Sequence, residues 1–149
     1  MSAPLVRPLH RDQSTDRAEW FRMRSLLHPD ADNAADANVL LSGAAPYEVY
    51  VALRDDVGLC GYVEVGERNY AEGCESSPVP YVESWWVDEE YRGRGIGRAL
   101  MLAAESWARA RDHVEIASDT QLDNRRSQKV HRALGFDEVE RIVVFRKAL

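Results

Sequence analysis

Apolar residues recur along the chain at two periods, and the switch between them marks out most of its elements. Leu5-Val6-Arg7-Pro8 reads as a short first strand ended by proline. From Ser14 to Leu27, Trp20, Met23, Leu26 and Leu27 repeat at helical spacing; Ser14 or Thr15 can cap this helix and Pro29 ends it. A second, acidic helix runs from Asp32 to Leu41 and stops at Gly43. Tyr47 to Leu53 and Leu59 to Val65 read as a hairpin turned at Asp55-Asp56-Val57-Gly58. Arg68 to Pro80 is a polar loop, too long for a tight turn and of the kind that lines sites on a rigid sheet. Tyr81 to Val87 is a strand. Gly95 to Arg111 is a strong helix with Ile96, Leu100, Ala103 and Trp107 on one stripe, about 25 Å long. His113 to Ser118 is a further strand, Asn124 to Leu134 a helix capped by Asp123 or Asn124 and closed by Gly135, and Phe136 to Phe145 a last strand. That order predicts a mixed α/β sheet flanked by helices, and no internal repeat interrupts it.

The 149 residues suit one domain spanning 1–149. A hydrophobic share of 45% with 30% charged residues argues against wholesale disorder. No apolar run approaches the ~20 residues a membrane helix needs. The segment Met1 to His10 lacks the apolar core of a signal peptide, so a cytoplasmic protein is expected. A net charge of −6 disfavours a general nucleic-acid binder. The two cysteines, Cys60 and Cys74, make no disulfide scaffold and lack metal-ligand spacing, so no metal is expected.

Against that acidic background, Arg92-Gly93-Arg94-Gly95-Ile96-Gly97 stands out between a strand and a helix, with Arg98 following. Glycines let backbone N–H groups approach an anion, and a helix start adds unpaired donors and a positive dipole end. A cationic cup on an acidic chain points to a polyphosphate ligand rather than to a plain solvated turn. A dinucleotide fingerprint fails on spacing: started at Gly93 it needs a small residue where Arg98 stands, and started at Gly95 it needs one where Leu100 stands. A Walker loop fails because no Gly-Lys-Ser/Thr follows.

Arg92, Gly95 and Gly97 do match the Arg/Gln-x-x-Gly-x-Gly/Ala coenzyme A loop of GNAT-type N-acetyltransferases. Trp85-Trp86-Val87 before the loop, and Asn124 and Leu134-Gly135-Phe136 after it, extend the resemblance over roughly residues 81 to 136. Within that superfamily the chain resembles aminoglycoside 6′-N-acetyltransferases in five runs. These are Tyr70 to Pro78, Ala117-Ser118-Asp119-Thr120, Ser127-Gln128-Lys129-Val130-His131, Ala133-Leu134-Gly135-Phe136, and the tail with Glu140-Arg141 and Phe145-Arg146-Lys147. The resemblance implies a GNAT fold: a central, mostly antiparallel sheet splayed at a parallel pair. It also implies acetyl-CoA as co-substrate and a homodimer.

Residue by residue, the resemblance lays the coenzyme pyrophosphate on Arg92, Gly93, Arg94, Gly95, Ile96, Gly97 and Arg98. The pantetheine arm then runs along Trp85, Trp86 and Val87, an N–H near Val87 polarises the thioester carbonyl, and Asn124 approaches from the far side. Of the adjacent tryptophans, one is expected in the core, because successive strand residues face opposite ways. Acidic groups at Glu83, Asp119 and Glu140, with Tyr70, match the positions that take the cationic acceptor. Charge supports this, since an acidic cleft attracts a polyamine. Asp30, Asp32, Asp36, Glu72 and Glu75 read mainly as solvated residues that widen the same field. His28 sits where the family usually has a large aromatic and is a candidate pocket residue.

The implied chemistry is direct attack of an amine on the thioester, with Glu83 first and Asp119 second as proton acceptor. A covalent route through Cys60 or Cys74 finds no histidine in a recognisable motif. Where many superfamily members carry a tyrosine that protonates the leaving thiolate, this chain has His131. Besides aminoglycoside 6′-acetylation, the sequence leaves open another small polyamine as acceptor, or a coenzyme A-binding sensor without turnover.

Overall fold

In the computed structural model, which describes residues 3–149, strands β1 (Val6–Pro8), β2 (Tyr47–Leu53), β3 (Leu59–Arg68), β4 (Val79–Val87) and β5 (Ala117–Ser118) form one sheet in that order. Neighbours are antiparallel except β4 and β5, which run parallel. Four helices flank the sheet: α1 (Ser14–Leu27), α2 (Asn33–Leu41), α3 (Ile96–Ala110) and α4 (Arg125–Ala133).

Alternation along the central strands creates two apolar layers. Val49, Val51, Leu59 and Tyr62 point to one face and pack with Trp20 and Met23 of α1. Their neighbours Ala52, Cys60 and Val63 point to the other and pack with Ile96, Leu100, Met101 and Ala104 of α3. The buried stripe of α3 is therefore Ile96, Leu100, Met101, Ala104 and Ala108, about one position round from the expected one, with Ala103 and Trp107 only partly covered.

Three local expectations need correction. Helix α1 is not capped by Ser14 or Thr15: Gln13 is its N-cap and makes no side-chain bond. Asp16 in the first turn organises the entry instead, accepting from the His10 N–H at 2.8 Å and from Arg7 at 2.6 Å. The strand expected from His113 shrinks to Ala117–Ser118. Side chains fix the preceding segment: His113 lies 2.5 Å from Glu67, and Glu115 accepts the Ser76 N–H at 2.7 Å and the Glu75 N–H at 3.0 Å. No strand forms from Phe136 to Phe145; residues 136–149 have no regular secondary structure and residues 141–149 are exposed. A strand needs a ladder partner, and among the described residues no strand pairs with that run.

One capping expectation agrees with the structure: Asn124, rather than Asp123, accepts from the Ser127 N–H at 3.0 Å. Helix α2 begins one residue later than expected, with Asp32 as its cap accepting from the Ala35 N–H at 3.1 Å.

Candidate active site at the fork of the sheet

Strands β4 and β5 pair at only two positions, Tyr81 with Ala117 and Val82 with Ser118. Beyond them β4 runs on to Val87 with no further register on that side. On its other side β4 pairs with β3, but Glu64 opposes Ser84 and Val65 opposes Val82, so Glu83 is left out as a bulge. The bulge stands where the parallel pair ends, at the root of a fork.

The two tryptophans beyond the bulge face opposite layers, as alternation requires. Trp85 turns to α3, donates from its indole N–H to the Gly97 carbonyl at 3.2 Å and meets His131 edge-on at 5.3 Å. Trp86 turns to the α1 layer and donates to Asp88 at 3.0 Å. Both are half-buried, so neither is the fully enclosed core residue expected of one of them.

Past β4 a single 3-10 turn (Glu89–Tyr91) leads into the glycine loop and α3. Gly93 and Gly95 hold φ of +78° and +80°, and a Cβ on either would meet nothing within 4 Å, so their outer faces are open. Gly97 is different: a Cβ there would come 3.2 Å from the Trp85 ring, so its lack of a side chain lets α3 approach β4. An open glycine turn at the start of α3 suits a pyrophosphate, and the unpaired β4 edge beside it suits an amide-bearing arm. Acetyl-CoA therefore fits this groove.

Several residues expected to touch the coenzyme have structural duties here. Arg92 donates to the Val87 carbonyl at 2.8 Å and lies 4.8 Å over Trp86, while Arg94 lies over Tyr91. Ile96 is buried in the α3 layer, and Asn124 is occupied as the α4 cap. Arg98 is exposed.

A cavity of about 830 Å³ opens at the fork, with Tyr81, Ser118, Asp119, His131 and Glu140 on its wall. Asp119 Oδ2 accepts the Tyr81 hydroxyl at 2.5 Å; burial and this carboxylate both push the phenol above its ordinary value. Both carboxylate oxygens of Glu83 are held by Arg68, at 2.6 and 2.8 Å, and that guanidinium lies 3.5 Å over the Tyr81 ring. Glu83, Arg68, Tyr81 and Asp119 are thus one linked cluster.

His28 and Glu83 line a second cavity of about 480 Å³. His28 Nε2 lies 3.1 Å from Ser84 Oγ, next to the bulge, and burial together with the nearby Arg24 lowers its pKa. Tyr70 is not gathered in: it is 68% exposed on its loop and outside both cavities.

The floor of the second cavity holds a group the sequence reading missed. Glu64 is 1% exposed, accepts from the Trp20 N–H at 3.0 Å, and is bonded by Arg24 and the Tyr47 hydroxyl. It had a signal: like Glu83, it is an acid inside an otherwise apolar strand. Tyr81, Arg68 and Ser118 were missed too, because nothing local distinguishes them from ordinary strand and loop residues. The cysteines offer no nucleophile. Burial pushes the Cys60 thiol up to about 11, and burial with Glu115 raises Cys74. Among the described residues no group of His, Cys, Asp and Glu has the arrangement to hold a metal, and no helix is long and apolar enough to cross a membrane.

Comparison with known proteins agrees with this geometry. The model of the acetyltransferase (GNAT) family matches residues 11–136. The chain belongs to the GNAT family. It is an acetyl-CoA-dependent N-acetyltransferase. An aminoglycoside N(6′)-acetyltransferase type 1 of Klebsiella aerogenes is 43% identical, covering 99% of this chain and 99% of its own. One from Stenotrophomonas maltophilia is 38% identical over 99% of this chain and 95% of its own. Among solved GNAT structures, AAC(6′)-Iy in complex with the bisubstrate analogue CoA-S-monomethyl-acetylneamine superposes with a TM-score of 0.87 at 34% identity, over 99% of this chain and 100% of that one. AAC(6′)-Ih from Acinetobacter baumannii gives 0.86 at 33%, over 99% of each chain.

Proposed function

We propose that this GNAT enzyme, a single domain of residues 1–149, acetylates the 6′-amine of an aminoglycoside by direct attack of that amine on acetyl-CoA. The observation that carries the reading is the gathering of Asp119, Tyr81, Glu83 and Arg68 at the root of the fork, where the open β4 edge and the acidic cavity meet. The full-length similarity to aminoglycoside N(6′)-acetyltransferases supports it. Acetyl-CoA supplies the activated thioester.

The acceptor arrives as an ammonium and must lose a proton before it attacks. Asp119 is the freer acid: one oxygen takes the Tyr81 hydroxyl, and the other has no protein partner among the described residues. It takes the proton, directly or through a held water. Glu83 has both oxygens on Arg68, so it serves the substrate's ammonium groups once that guanidinium is displaced. Glu140 on the cavity wall and His28 in the neighbouring cleft complete the acceptor side.

A homodimer and a cytoplasmic location belong to the same proposal. The exposed apolar tail, with Val143, Val144 and Phe145 at 70, 81 and 89% exposure, supports the dimer. The two free thiols, Cys60 and Cys74, are in keeping with a reducing compartment.

The test is thiol release from acetyl-CoA with two aminoglycosides differing only at the 6′ position, spermidine and a lysine peptide. Turnover with the 6′-amine compound and none with its 6′-hydroxyl counterpart is expected. Activity confined to spermidine or the peptide overturns the acceptor, and silence with coenzyme A still bound overturns turnover in favour of a sensor. Asp119→Ala is expected to abolish acetylation while sparing coenzyme A binding.

A further inference from the structure

Resting on that reading, the geometry points to Ser118 and His131 as one proton-delivery unit, with Ser118 Oγ as the atom that protonates the sulfur of the departing coenzyme A. Ser118 is the last residue of β5 in register with β4, and it shares the wall of the fork cavity with His131. His131 Nε2 lies 2.8 Å from Ser118 Oγ. Its Nδ1 lies 2.7 Å from the Ser127 carbonyl and 3.3 Å from Ser127 Oγ. The ring is held edge-on between Trp85 and Phe136, at 5.3 Å from each.

A carbonyl only accepts, so Nδ1 carries a hydrogen and the neutral ring presents a lone pair at Nε2. In that state the Ser118 hydroxyl donates to Nε2 and its proton is turned away from the groove. A proton taken from solvent reverses the bond. Imidazolium has an N–H at both nitrogens, Nε2 donates to Ser118 Oγ, and the serine hydroxyl is released toward the cavity. When the carbon–sulfur bond breaks, the serine proton passes to the thiolate and the Nε2 proton passes to Ser118 Oγ. The products are thiol, neutral serine and neutral imidazole. The phenol on the cavity wall does not substitute, since the Tyr81 hydroxyl donates to Asp119.

Steady-state kinetics on Ser118→Ala, Ser118→Thr, His131→Gln and the Ser118→Ala/His131→Gln double variant test this, with melting curves to verify folding. A thiolate is a modest base, so kcat should fall about tenfold to a hundredfold in Ser118→Ala, the lower end for proton transfer. KM for both substrates should stay unchanged. Ser118→Thr, which keeps the hydroxyl, should stay within about threefold of wild type. The double variant should be no slower than the slower single one, because groups acting as a unit do not add. Equal losses in Ser118→Ala and Ser118→Thr, an unchanged kcat in Ser118→Ala, or multiplicative losses in the double variant overturn the unit.

A second readout needs no turnover. The ring ¹⁵N signals of His131 should report the Nδ1–H form in the free enzyme, and Ser118→Ala should shift the Nε2 signal alone. The opposite tautomer overturns the assignment even if His131→Gln does not fold. Failure of wild-type enzyme to acetylate any aminoglycoside would count against the proposed acceptor, whereas an active wild type with indifferent Ser118 variants counts only against this unit.

Discussion

Arg68 grips both carboxylate oxygens of Glu83 while lying 3.5 Å above the Tyr81 ring, so one guanidinium covers two polar groups at the root of the fork. A cationic acceptor competes with Arg68 for Glu83. Arg68→Gln should therefore lower KM for the aminoglycoside about threefold to tenfold at low salt, with kcat retained, and the gain should shrink as salt screens the cleft. Initial rates at two ionic strengths check this. An unchanged or higher KM would mean that Arg68 positions Glu83 rather than blocking it.

The Arg24–Glu64 pair carries a stability prediction. Glu64 is 2% and Arg24 7% exposed at the side chain, so removing the cation strands a carboxylate in the interior. Arg24→Met should destabilise the protein by about 3–5 kcal/mol, whereas replacing both partners with apolar residues should cost much less. Denaturant unfolding of the single and double variants measures the difference.

His28 gives the protein a pH dependence of defined sign. Burial and Arg24 depress its folded pKa, whereas an unfolded imidazole titrates near about 6.5. The unfolded chain takes up the proton first as pH falls, so this contribution to stability is present above about 6.5 and declines below it until the folded group also titrates. Melting temperature measured between pH 7.5 and 5 should drop more steeply in wild type than in His28→Gln. Parallel curves would remove His28 as the source.

Two glycines of the loop should respond differently. Gly95 has φ of +80° and open space around it, so Gly95→Ala pays only the left-handed conformation, about 1–2 kcal/mol. At Gly97 the added methyl meets the Trp85 ring at 3.2 Å and disturbs the contact between α3 and β4. Coenzyme A titrations should show weaker binding in both, and the Trp85 fluorescence should change only in Gly97→Ala.

What the sequence made legible was what periodicity and local chemistry control. Helix α1 runs from Ser14 to Leu27 as its apolar spacing required, and the Arg92–Gly97 turn sits at the head of α3 as its glycines required. Glu83 stood out as an acid inside an otherwise apolar strand and Asp119 as one at a strand's end, where sites collect on open sheets, and the structure sets both at the fork. What stayed hidden depends on contacts between distant segments. Arg68 meets Glu83 across 15 positions, and Ser118 meets His131 across 13. The run from Phe136 to Phe145 has strand-forming residues, but pattern alone cannot provide a partner, and the structure gives it none among the described residues.

The bulge in β4 has a consequence for how the strand is counted. Val82 and Trp85 are three positions apart yet face the same layer, which strict alternation forbids unless one residue between them is surplus. Glu83 is that surplus. A chain lacking it would put Val82, Ser84, Trp85 and Trp86 into unbroken alternation with every apolar side chain on its present face. The sheet is complete without Glu83. The strand is built one residue longer than its scaffold requires, and the spare residue is the acid that stands where the two strands part.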